Sequence, residues 1–110
     1  MKLLTIRKHR RFAVRHGALL ERCGSGHGEA TGLLVELSLE GCRVAGSPAH
    51  GFAIGDRLRV CVDGFDAIAG EVRWADHGCI GLRFDRPLHI AALETMILTC
   101  RDQAATRACA

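Results

Sequence analysis

An all-β domain, an antiparallel barrel or sandwich of six short strands followed by a C-terminal helix, is the fold class this sequence predicts. Three observations predict it. Apolar and polar residues alternate with period two through the middle of the chain, turn residues punctuate the alternating runs, and after Pro87 the apolar spacing lengthens to three and four.

The strands are expected at 17–23, 29–38, 42–45, 56–62, 66–75 and 79–85. In the second, Leu33, Val35 and Leu37 share one face and Leu34, Glu36 and Ser38 the other, so the leucines and valine are read as interior. Leu58, Val60 and Val62 point inward in the fourth. Ile68, Gly70, Val72 and Trp74 share a face in the fifth, and Ile80, Leu82 and Phe84 do so in the sixth, opposite Gly81 and Arg83. Turn signals lie at Gly24-Ser25-Gly26-His27-Gly28, Glu40-Gly41, Gly46-Ser47-Pro48, Asp63-Gly64 and Asp76-His77-Gly78. Beyond Pro87, Ile90, Leu93, Ile97 and Cys100 mark one face of an amphipathic helix over 88–101 that can plug a barrel end, and residues 102–110 are expected to fray.

At 110 residues, 48% of them apolar, the chain suffices for one domain with a modest core. No apolar run reaches the roughly 18 residues of a membrane span, and the start lacks the apolar length and cleavage site of a signal peptide, so a cytoplasmic location without membrane insertion is expected. Six evenly scattered cysteines with no CxxC pair argue against a disulfide framework and against structural zinc, and neither metal nor cofactor is expected. No arrangement of Ser, His, Cys or paired carboxylates has catalytic spacing, so an enzyme is not expected. The three glycines of the 24–28 loop lack a following Lys-Ser/Thr and precede a strand, unlike a phosphate loop.

Charge is unevenly placed. Residues 1–16 carry six basic and no acidic side chains, a flexible arm of net charge +6, whereas the remaining 94 carry nine basic and twelve acidic, net −3. A basic arm on a mildly acidic body points to an anionic partner. Specific DNA or RNA binding is not expected, because one Trp and four Phe leave little for base-stacking platforms.

Two short motifs sharpen this. Arg11-Phe12-Ala13-Val14-Arg15 places two arginines four apart in the arm, where guanidinium forks match phosphate oxygens and guanine edges. Glu36-Leu37-Ser38-Leu39-Glu40-Gly41 sets a carboxylate and a hydroxyl on one strand face and a glycine at the turn. A carboxylate accepts the N1 and N2 protons of guanine, and a hydroxyl donates to phosphate.

In order and spacing these motifs resemble the RxxxR and (D/N)xSxxG signature of PilZ domains. The run Trp74-Ala75-Asp76-His77-Gly78-Cys79-Ile80-Gly81-Leu82-Arg83-Phe84 is similar to that family's closing hairpin. The resemblance implies a six-stranded antiparallel barrel with a basic N-terminal arm (1–16), a barrel with its C-terminal helix (17–101) and a tail (102–110). It implies cyclic di-GMP as ligand, with Arg11 and Arg15 on phosphates and guanine edges and Arg10 auxiliary. Glu36 would meet guanine, Ser38 a phosphate or the adjoining backbone, Gly41 would shape the turn, and Trp74 would pack beside a guanine or in the core. Glu36 stands where the family carries Asp or Asn, which moves the carboxylate by about 1.5 Å. Two functions follow from the resemblance: a monomeric or weakly dimeric receptor that relays cyclic di-GMP to an effector protein, or an adaptor that binds protein alone.

Overall fold

The alternating runs become strands that close on themselves. In chain order they are β1 (Phe12–Arg22), β2 (Glu29–Leu37), β3 (Gly41–Ala45), β4 (Arg57–Cys61), β5 (Ile68–Asp76) and β6 (Cys79–Phe84), followed by helix α1 (Ile90–Cys109). The computed structural model describes residues 10–23, 29–46 and 51–109, with side chains through residue 101. The first nine residues of the basic arm, the glycine-rich turn at 24–28, the Ser47-Pro48 turn and the side chains of the tail lie outside the described residues. All pairings are antiparallel, and the order β1-β2-β3-β6-β5-β4 returns to β1 as a closed barrel.

Two element boundaries differ from expectation by more than two residues. β1 starts at Phe12, not residue 17, because Phe12 and Val14 turn inward between outward Ala13 and Arg15. The second half of the RxxxR motif therefore sits in the barrel wall. Helix α1 continues past residue 101 to Cys109. Its last turns lack an apolar stripe, but alanine, glutamine and arginine are good helix formers without one.

The register slips at three places, and two of them change which residues face inward. Between Leu34 and Glu36 of β2, Val35 is an extra residue relative to β3, so Leu34 enters the core in place of the expected Leu33 and Val35, while Leu37 is buried as expected. Between Val72 and Trp74 of β5, Arg73 is the extra residue relative to β6. That bulge turns Trp74 from the expected inner face to the outside, where it is 41% exposed. The third slip lies between Ala13 and His16 of β1. Elsewhere the alternation holds: Leu58, Val60, Val62, Ile80, Leu82 and Phe84 are all buried.

Helix α1 seals the core with Leu93, Met96, Ile97 and Cys100, a stripe at three-, one- and three-residue intervals; all four are at most 2% exposed. They belong to the same apolar cluster as the inward residues of the barrel, whereas Ile90, expected on this face, is half exposed. His89 starts the helix after Pro87, its Nδ1 accepting the Ala91 N–H at 3.2 Å and its carbonyl the Leu93 N–H at 3.0 Å. At the far hairpin, His77 (φ 50°) and Gly78 (φ 76°) form the two-residue turn between β5 and β6, in the left-handed conformation that a type I′ turn demands. Among the described residues no helix is long and apolar enough to cross a membrane.

Asp56 ties the segment before β4 to the end of β1. One of its oxygens accepts the Ala53 N–H at 2.9 Å and the Arg22 guanidinium at 2.7 Å. The Ala53 N–H, then Arg22, hold the carboxyl below its ordinary value of 3.8. Because the folded value is depressed, the bond stabilises the fold above that pH and is lost below it. Asp56→Ala is expected to cost on the order of 1 kcal/mol at pH 7, and the difference should shrink as denaturation is repeated below about pH 4. Leu93→Ala, which opens a cavity under the helix, should cost about 2–5 kcal/mol by chemical denaturation.

Candidate functional site

A row of cross-strand partners runs around the outer face of the barrel. Ala13 of β1 pairs with Glu36 of β2, Glu36 with Arg43 of β3, Arg43 with Gly81 of β6, and Gly81 with Trp74 of β5. One step along, Gly41 pairs with Arg83. Between these positions lies a groove of about 420 Å³, lined on its walls by Arg11, Glu36, Arg43, Arg73, Trp74 and Arg83. Ser38, Glu40 and Gly41 form one end.

Backbone proximity sets its floor. A Cβ on Gly41 would stand 2.3 Å from the carbonyl oxygen of Leu82, so only glycine lets β3 approach β6 here. A Cβ on Gly81 would stand 2.1 Å from Nε1 of Trp74, which places the indole directly over that glycine. The bulge at Arg73 thus does two things: it delivers Trp74 to the groove and sets a guanidinium beside it.

The turn at 38–41 is held by its own serine. Ser38 Oγ accepts the N–H groups of Gly41 at 3.1 Å and Glu40 at 3.3 Å and donates to the Gly41 carbonyl at 3.2 Å. The Ser38 N–H adds a bond to the same carbonyl at 2.9 Å. From behind, the Glu40 carbonyl accepts the Phe84 N–H and the Leu39 carbonyl the Leu88 N–H, both at 2.8 Å. The turn is therefore bonded both to β6 and to the segment leading into α1.

Four arginines that no ion pair engages among the described residues meet in the groove. Arg22, Arg57 and Arg59 are engaged by Asp56, Asp85 and Glu21. Among the described residues Arg11, Arg43, Arg73 and Arg83 have no ion-pair partner, and Nε of Arg43 is buried without a hydrogen bond. Against two groove carboxylates, Glu36 and Glu40, four guanidiniums leave a net charge of +2. Such an excess of fork-shaped donors beside an exposed indole suits an anion that carries a flat ring. Cys42, beneath the groove, is a packing group: burial pushes its thiol up to about 12. No group of three or more His, Cys, Asp or Glu with metal-binding geometry occurs among the described residues.

Of the residues singled out by motif, Arg11, Glu36, Ser38, Gly41 and Trp74 line the groove. Arg10 and Arg15 do not. Arg10 lies over the Phe12 ring, 5.1 Å from its centroid, and Arg15 is exposed on β1, two residues beyond the partner of Glu36. Sequence reasoning missed Arg43, Arg73, Arg83 and Glu40 as lining residues. Strand alternation marks Arg43 and Arg83 as outward, but only the β3–β6 pairing brings them together.

The structure is thus a small closed barrel with an arginine-lined groove, an arrangement whose chemistry suits an anionic ligand. The family model of the PilZ domain matches residues 5–100, and the chain belongs to that family. No curated protein matches the chain. PilZ domains serve in cyclic di-GMP binding or as adaptors, and they are binding modules, not known enzymes.

The chain has a single tryptophan, so its emission reports on the groove alone. Gly81→Ala removes the space under the indole and should shift that emission while the far-ultraviolet circular dichroism of the barrel is kept; an unchanged spectrum would contradict the close contact.

Proposed function

We propose that this domain is a receptor for cyclic di-GMP, held in the groove over β3 and β6, and that occupancy is relayed to a partner protein. The observation that carries this reading is the convergence of residues from three distant parts of the chain, Arg11, Glu36 with Ser38 and Gly41, and Trp74, on one groove with excess positive charge. Arg11 engages a phosphate, and Arg10 and Arg15, whose side chains lie outside the groove in the free chain, turn toward the ligand to complete the grip. Glu36 accepts the N1 and N2 protons of a guanine, whose ring stacks on the exposed indole of Trp74. Ser38 acts first through the backbone: its hydroxyl fixes the turn and so the place of Gly41 under the ligand. A location in the cytoplasm goes with this reading.

Isothermal titration of the chain with cyclic di-GMP tests it. The native chain should bind saturably. Arg11→Ala and Arg15→Ala should each weaken binding about 10-fold to 100-fold, the range for losing a charge-assisted bond. No heat at ligand concentrations well above micromolar would refute the receptor reading. Binding that appears only in Glu36→Asp would identify an adaptor whose site is closed by the longer side chain.

A further inference from the structure

β3 and β6 carry the same three-residue pattern, Gly41-Cys42-Arg43 and Gly81-Leu82-Arg83. Their register sets Gly41 against Arg83, Arg43 against Gly81, and the inward residues Cys42 and Leu82 against each other. An antiparallel pair has a local two-fold axis normal to the sheet. Here that axis passes between Cys42 and Leu82 and exchanges Arg43 with Arg83. Strand geometry puts their Cα atoms on a diagonal of about 8 Å, from ~3.4 Å per residue along a strand and ~4.8 Å between strands.

Both arginines line the groove and neither has an ion-pair partner among the described residues. Each stands across the seam from a glycine, Gly41 opposite Arg83 and Gly81, which lies under the Trp74 indole, opposite Arg43. Nε of Arg43 is buried with no bond, and no carboxylate among the described residues holds its guanidinium in an ion pair. Outside the pair the symmetry is broken. The Gly81 side meets Trp74, and the Gly41 side meets the turn held by Ser38.

We propose that Arg43 and Arg83 are a two-fold pair of phosphate-binding residues, one guanidinium for each phosphodiester of a cyclic dinucleotide. Such a ligand has its own two-fold axis, and laying it over the axis of the β3–β6 seam gives each phosphate an equivalent arginine. The asymmetric surroundings then give its two bases different neighbours, the indole on one side and the 38–41 turn on the other. This rests on the reading of the groove as a cyclic di-GMP site, and it adds two contacts outside the sequence motifs.

The test is titration of cyclic di-GMP into the native chain, Arg11→Ala, Arg43→Ala, Arg83→Ala, the Arg43/Arg83 double alanine variant, and Arg57→Ala. Arg57 is exposed and engaged by Asp85, so its removal should leave binding as in the native chain. Arg43→Ala and Arg83→Ala should each weaken binding about 10-fold to 100-fold, and the double variant by about the product of the two losses. Arg43→Lys and Arg83→Lys, which keep the charge but not the fork, should recover part of it. Both side chains stand on the outer face, Arg83 exposed and Arg43 half-buried, so unchanged circular dichroism should accompany the losses. If Arg11→Ala loses binding while Arg43→Ala and Arg83→Ala match the native chain, the pair is refuted and the receptor reading stands. A loss at only one of the two also refutes the two-fold pairing. A native chain that binds nothing refutes both.

Discussion

The antiparallel seam between β3 and β6 is the contact on which the rest of this structure depends. It joins the three-stranded meander β1-β2-β3 to the β5-β6 hairpin, across more than thirty residues of intervening chain. With Gly41 opposite Arg83 and an added Cβ only 2.3 Å from the Leu82 carbonyl oxygen, the two backbones meet as closely as glycine permits. Two more backbone bonds, from Phe84 and Leu88 to the carbonyls of Glu40 and Leu39, extend the seam to the start of the helix. The groove lies directly above. Stability and recognition therefore draw on the same few residues, and a side chain introduced at Gly41 would disturb both.

Bulges supply the second constraint. A strand alternates strictly, so a row of outward residues can change its phase only where one residue is added. Val35 is such a residue in β2 and Arg73 in β5. The first lets Leu34 and Leu37 fill the core while Glu36 keeps its place on the outer row. The second moves Trp74 out of the core and onto Gly81. Both sit at the edges of the groove, and both convert what would be continuous apolar packing into a polar site with one flat, exposed ring.

How far the sequence could be read follows from these two facts. Strand content, the helix after Pro87 and the inward faces of β4 and β6 follow from alternation and spacing, because burial there obeys the simple period. The same rule failed for Leu33, Val35 and Trp74, since a bulge leaves no mark in composition that distinguishes it from a regular strand. Arg11, Glu36, Ser38 and Gly41 were legible as motifs. Arg43, Arg73 and Arg83 were not, because their significance depends on which strands are neighbours, a property of closure and not of any local run. The start of β1 was also misplaced: the charges of the arm hid the alternation of Phe12 and Val14 beneath them.

Closure has one more consequence. Among the described residues each of the six strands pairs with a neighbour on both sides, β1 with β2 and β4 included, and the unpaired stretches are short, such as Phe12–Ala18 of β1 on its β4 side. Short edges leave little room for a second protein to add a strand of its own, a common way for small β domains to recruit extended peptides. What the closed wall presents most widely is its outward side chains, the connecting turns and the exposed side of α1. Closure also shortens the edges along which copies of a sheet could pair, while the wall carries a charged groove.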